Sequence, residues 1–478
     1  MAATPAGSTY NPLLEGPVLG ALLKLAIPVV FANILQSVYQ LTAAFWVGRL
    51  GSHAVAAVSV CFPITFLLFA LGSGLGIAGS TLVAQYVGAR NTTMVNHVAG
   101  QTFLMVIGSS LLLSLGALAL APWLLQLVGV TPVVYDASLA FLRISLAGVV
   151  FTFGFAMFQA LMRGVGEVRI PLYIIGVTVV LNFGLTPLLI FGWGPLPGWG
   201  VEGAALATLI TQALALAAGV VVLLRGDWGI HLRGADLKPD LPFIRRAFLL
   251  GFPASVELSA RALGMNIMTF LVTGFGTLAI AAYGVVTNIL NFVIVPAMGL
   301  SMATSTLVGQ SLGANQLDRA RQIARLSAMI SFVGLSVFGV LIFALAGPVV
   351  RFFIPDDPAV IASGTTFLRI VAFSFGFMGL QLALIGVFRA SGNTFVTMIL
   401  ALVSQWVLQF PLAFVLSRQT VLSTEGLWWS FPVTNILTAV ITYAWFKRGD
   451  WTRSRLARGR KLRKRINDEI LIEENRVV

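Results

Sequence analysis

The chain has 478 residues, 58% of them hydrophobic and only 10% charged, with 30 Lys and Arg against 17 Asp and Glu. Soluble domains carry about 25% charged residues, so this composition excludes a water-soluble enzyme or binding module and points to a multi-pass membrane protein. A single Cys (Cys61) and three scattered His (His53, His97, His231) exclude a disulfide framework and a His/Cys metal cluster. Without a Walker loop or a dinucleotide fingerprint, no nucleotide, metal or organic cofactor is expected, and neither is an enzymatic activity.

In chain order, residues 1–18 lack a basic start followed by an apolar run and read as a cytoplasmic N-terminus rather than a signal peptide. Apolar stretches near 19–47, 54–87, 98–121, 138–162, 170–192 and 201–224 then predict six membrane spans, an N-lobe over 19–224. A bilayer needs roughly 20 apolar residues per span. A polar segment, 225–246, reads as a cytoplasmic linker. Six more spans follow near 247–273, 278–312, 323–347, 362–388, 394–417 and 427–446, a C-lobe over 247–446, and a basic cytoplasmic tail closes the chain at 447–478. The stretches 54–87 and 278–312 exceed a bilayer and are expected to tilt, kink near Pro63 and Pro296, or project beyond it.

Charge distribution sets the orientation. Placing both termini and the even-numbered connections on one side puts 24 of the 30 basic residues there, against Arg49, Arg351 and Arg418 opposite. By the positive-inside rule both termini are cytoplasmic. The net charge of +13 is thereby topology rather than a nucleic-acid surface, since no reading fold or aromatic interleaving accompanies it. The expected partners are the lipid bilayer and a small-molecule substrate, for a monomeric chain.

The two halves repeat. Ser80–Ala89 and Ser305–Ala314 match at 7 of 10 positions with a shift of 225 residues. The same shift pairs Pro28 with Pro253 and Gly51 with Gly276, and a shift of 226 pairs Arg163-Gly-Val-Gly with Arg389-Ala-Ser-Gly. Six spans per repeat is an even number, so both halves enter the membrane alike and are related by a pseudo-two-fold axis along its normal. An all-α fold of twelve transmembrane helices in two six-helix lobes leaves a cleft that opens alternately to either side.

The same segments resemble the MATE family, the multidrug and toxic compound extrusion transporters, over nearly the whole chain. The resemblance is carried by Phe45–Gly51, Ser80–Ala89 and its copy, Arg163–Pro171 with Arg389–Thr394, Phe191–Pro197 followed by Gly200–Ala205, and Gly426–Pro432. It is nearest to the prokaryotic, DNA-damage-inducible branch. It implies a secondary active exporter in the prokaryotic inner membrane, moving amphipathic and often cationic compounds by alternating access in exchange for protons or sodium. Alternative readings are a flippase for lipid-linked or amphipathic metabolites in the same superfamily, and a passive channel or scaffold.

One family feature is missing. Where the prokaryotic branch has an aspartate two residues before the Phe-Trp-Val-Gly run of the first span, and another in the fifth, this chain has Ala43 and Thr186. Of its acids only Glu257 lies inside a span, and intramembrane acids are costly enough to be presumed functional. Glu257 is therefore the candidate for ion coupling, together with Arg261 one turn later on the same face. An ion pair that lets both be buried is the competing structural reading.

The candidates for a substrate cavity are Asn33, Gln36, Tyr39 and Gln40 on the first span, Asn182 on the fifth, Asn266 on the seventh, and Asn288 and Asn291 on the eighth. Each could equally serve as an interhelical hydrogen bond. Trp193, Trp199, Trp428 and Trp429 lie near span ends and are expected to anchor at the membrane interface.

Overall fold

The computed structural model describes residues 12–193, 197–355, 357–420 and 422–452. The first eleven residues and the tail from 453 onward lie outside the described residues. With no water in a bilayer core, each apolar run must satisfy its backbone internally, which selects helices. Twelve long helical units follow one another. They are α1 (Val18–Gly48), α2 (Ser52–Gly88), α3 (Thr92–Val128), α4 (Pro132–Val165), α5 (Arg169–Phe191) and α6 (Gly200–Arg225), then α7 (Leu241–Thr273), α8 (Thr277–Gly313), α9 (Leu317–Phe353), α10 (Pro358–Ala372 with Phe375–Ala390), α11 (Thr394–Arg418) and α12 (Thr424–Lys447).

Local chemistry fixes the helix ends. The side chains of Asn91, Asp240 and Asp357 accept hydrogen bonds from the first free backbone N–H groups of α3, α7 and α10. The repeat is visible in the turns as well. Gly51 (φ 103°) and Gly276 (φ 90°) break the chain before α2 and α8, and Arg90 (φ 54°) and Asn315 (φ 65°) take the left-handed conformation just after them.

The structure corrects two sequence expectations and adds one feature. The tenth span, read as one stretch over 362–388, is two helices bent by 52° between Ala372 and Phe375. The eleventh contains a π-helical turn, Val403–Gln409, a feature frequent at functional sites. Trp428 is not an interfacial anchor: it is 1% exposed and stacks on Phe367, with ring centroids 4.0 Å apart, in the core of the second lobe. Trp193, Trp199 and Trp429 are exposed.

Among the described residues nine helices are long and apolar enough to cross a membrane, and the bent α10 makes ten. The other two are α7, which carries Glu257 and Arg261 at its middle, and α12. All twelve form one multi-pass membrane domain of two lobes. In the first lobe α4 packs on α2, α3 and α6, and α1 on α5; in the second α10 packs on α8 and α9, and α7 on α11. The lobes meet where α1 packs on α8 and α2 on α7, a reciprocal exchange, with α2 and α8 touching across the axis.

Candidate functional site

The interface between the lobes is closed at one end, the end where α2 and α8 finish beside Arg90, Arg163 and Arg389. Gln85 on α2 donates to the Ala390 carbonyl at the end of α10 (2.8 Å), and Thr81 donates to the Arg389 carbonyl (3.2 Å). From the other lobe Gln310 on α8 donates to the carbonyls of Gly164 and Val165 at the end of α4 (3.0 Å each). Glycines allow the approach: a Cβ on Gly88 would run into the Gln310 backbone carbonyl, and one on Gly313 into that of Gln85. A turn or more deeper, Gly74 lies against Gly251 and Ser255, and its repeat equivalent Gly299 lies against Val30. The cross-lobe hydrogen bonds donated by Thr81, Gln85, Ser255, Gln310 and Arg319 all lie in this half of the molecule. Toward the Ser52 and Thr277 ends α2 and α8 are more exposed, at Ser52, His53, Val55 and Phe62 on one and Leu278, Ile280, Gly284 and Phe292 on the other.

Inside the second lobe, Glu257 is buried with its side chain 1% exposed, and Oε1 accepts from two guanidinium groups. Arg389 Nη2 of α10 is at 2.9 Å and Arg261 Nη2 of α7 at 3.5 Å, their side chains 18% and 36% exposed. Sequence spacing anticipated Arg261. Arg389 was missed as a partner, because its motif at the end of the tenth span reads as lobe-stabilising and only the packing of α10 brings it to α7. The cluster holds two positive charges against one negative. Glu257 Oε2, Arg261 Nε and Arg389 Nε are buried without hydrogen-bond partners, with Thr397 beside the carboxylate.

Helical periodicity separates the two exposed faces of α7. Leu249, Phe252, Leu263 and Phe270 form an exposed stripe, apolar apart from Asn266 between the last two, which suits lipid. On the opposite side Arg261, Met265 and Thr269 repeat at i, i+4, i+8. The 225-residue shift maps this stripe onto Gln36, Gln40 and Ala44 of α1, with Asn33 one turn earlier. There too the back carries an exposed apolar stripe, Phe31, Ile34, Val38, Leu41 and Phe45. The two polar stripes are thus equivalent faces of α1 and α7, turned away from lipid.

Of the other cavity candidates, Tyr39 and Asn182 come together, but inside the first lobe. The Tyr39 hydroxyl bonds Thr211 Oγ1 (2.7 Å), and Asn182 Nδ2 donates to both (3.3 Å each). All three are buried. Sequence reasoning missed Thr211, whose small hydroxyl gives little signal in an apolar helix. Asn266 donates back to the Ala262 carbonyl of its own helix (3.2 Å), and Asn288 and Asn291 are exposed on α8. No group of three or more metal-ligating side chains exists among the described residues.

The MatE family model matches residues 28–188 and, a second time, 253–415. The chain belongs to the MatE family. This MatE chain is 29% identical over 425 residues to the probable multidrug resistance protein YoeA of Bacillus subtilis, covering 88% of this chain and 92% of that one. It is 31% identical over 443 residues to the probable multidrug resistance protein NorM of Deinococcus radiodurans, covering 89% and 93%. Its fold superposes on a multidrug resistance MATE family transporter of the MOP superfamily solved in an outward-facing conformation, with TM-score 0.87, 21% identity and coverage of 94% and 100%.

As a MatE protein the chain is a membrane transporter, and its departure at the first-lobe acids acquires a structural form. Thr186 is buried and donates to the Asn182 carbonyl (2.6 Å), and Ala43 is half-buried on α1. The polar heart of the first lobe, Tyr39, Asn182, Thr186 and Thr211, is therefore neutral.

Proposed function

We propose that this chain exports amphipathic small molecules by alternating access, as a secondary active transporter of a prokaryotic inner membrane with both termini cytoplasmic. The observation that carries this reading is the asymmetry of the lobe interface: it is closed by Gln85 and Gln310 at the end rich in arginine, while α2 and α8 are more exposed toward the other. With the basic end cytoplasmic, the closed end faces inward, the posture of an exporter releasing cargo. The loss of acids at Ala43 and Thr186 leaves two drives compatible with this cleft. One is exchange for a proton or sodium ion at Glu257, and the other is the membrane potential acting on a charged cargo.

Transport by the purified full-length protein in proteoliposomes tests the reading, with proton gradient, sodium gradient and membrane potential imposed one at a time. Export under at least one of them supports it, and flux that follows only the cargo's own gradient overturns it. Exchange at Glu257 has its own signature: Glu257→Gln abolishes ion-driven export and leaves potential-driven export intact.

A further inference from the structure

We propose that the cleft takes an amphipathic cargo bearing an anionic group, a carboxylate or phosphate, which Arg261 recognises. This deepens the export reading above and rests on it. The argument begins with a charge count. Within the described spans, away from their ends, Glu257 is the only acid, and its Oε1 is already bound by Arg389 and Arg261. The first lobe offers at its centre only the neutral Tyr39, Asn182, Thr186 and Thr211. A cationic cargo entering this cleft would leave water and meet no unpaired carboxylate, but a cluster with one positive charge in excess.

Geometry assigns the recognition to Arg261 rather than Arg389. Arg389 is 18% exposed and holds the carboxylate at 2.9 Å, while Arg261 is 36% exposed and holds it at 3.5 Å. Arg261 also lies on the polar stripe of α7 with Met265 and Thr269, opposite the lipid-facing stripe. Its repeat equivalent on α1 is Gln36, a neutral donor and acceptor. Arg261 is therefore the charged group on this pair of equivalent faces. Guanidinium suits the task, since its planar fork of N–H donors matches a carboxylate or phosphate in two-point contact. Glu257 and Arg389 act as positioning residues that hold Arg261 within a low-dielectric region.

The same charge balance identifies the drive. Neutralising Glu257 with a proton would add to the positive excess and strengthen, rather than displace, an anionic cargo, so an exchange of one for the other gains nothing from this cluster. A cell whose interior is negative expels an anion with its potential. An anionic cargo therefore needs no coupling acid, in accord with Ala43, Thr186 and the doubly paired Glu257.

The test is a fluorescence-anisotropy titration of the full-length protein in phosphatidylcholine nanodiscs with two xanthene dyes, anionic carboxyfluorescein and cationic rhodamine 6G. Carboxyfluorescein is expected to bind at least tenfold more tightly. Arg261→Gln is expected to weaken it tenfold or more, and Arg261→Lys to retain it within a few fold. Should Arg261→Gln fail to fold, Gln36→Glu on the equivalent face is expected to weaken the anionic dye and favour the cationic one. A preference for rhodamine 6G, or indifference of carboxyfluorescein binding to both Arg261→Gln and Gln36→Glu, overturns the proposal. Competition by phosphatidylglycerol assigns the anionic group to a lipid headgroup and its absence assigns it to a soluble amphiphile, either result upholding an anion site. Binding without transport would instead count against the export reading alone.

Discussion

Gln85 and Gln310 stand at equivalent positions of the two repeats, and each reaches out of its own lobe to a backbone carbonyl where a helix of the other lobe ends, Gln85 to Ala390 and Gln310 to Gly164 and Val165. Both are buried. The three bonds form one closure on equivalent residues, and because they join side chain to main chain they can be made and broken without exposing a charge.

Removing that closure shifts the balance between the two faces of the transporter. Each buried hydrogen bond contributes about 1 kcal/mol, and about 1.4 kcal/mol changes a population ratio tenfold. The double variant Gln85→Ala with Gln310→Ala should therefore populate a state opened at the basic end. Spin labels at Arg90 and Asn315, the paired left-handed residues after α2 and α8, read it as a second, longer distance. An unchanged distance distribution would deny the glutamines this role.

Gly88→Val and Gly313→Val make the complementary case. Each new side chain would strike the backbone carbonyl of the opposite glutamine, yet neither enters the interior of a lobe. Both variants should fold with an unaltered melting temperature and be unable to close the basic end, seen as loss of the short label distance. Retention of the short distance in either would mean that close approach of the two glycines is dispensable.

Tyr39→Phe removes the hydroxyl that bonds Thr211 and receives Asn182. The expected cost is about 1 kcal/mol of stability, measured by denaturation of the purified protein. Because the first-lobe cluster is neutral, the pH profile of transport should not move. A displaced profile would assign that lobe a titrating role.

Trp428→Ala removes a ring that stacks on both Phe367 and Tyr283. Truncating a buried aromatic costs about 3–5 kcal/mol, so a clear fall in melting temperature is expected. A melting temperature within error of the wild type would place Trp428 at the lipid interface after all.

The spans, the internal repeat and the polar stripe of α1 were legible in the sequence, because hydropathy and helical period act locally and a fixed offset of 225 residues survives divergence. Glu257 was legible for the same reason, as a lone acid in an apolar run. What the sequence could not show were relations across space. Arg389 sits 132 residues from Glu257 and reaches it only through the packing of α10 on the lobe. Gln85 and Gln310 look like ordinary repeat residues until the lobes are assembled. Trp428 near a span end reads as an anchor, and only the stack with Phe367 shows that α12 turns it inward. The break at Phe373 and Ser374 has no proline to announce it.

The most direct test of the account is to lock the closed end covalently. Cys61 is the only cysteine and is buried, so Gln85→Cys with Ala390→Cys gives a defined pair for a short bismaleimide. In proteoliposomes moving a fluorescent amphipathic dye, the cross-linked protein should stop transporting, while the same variant treated with a monofunctional maleimide continues. Undiminished transport by fully cross-linked protein would contradict export by lobes that part and close at Gln85 and Gln310.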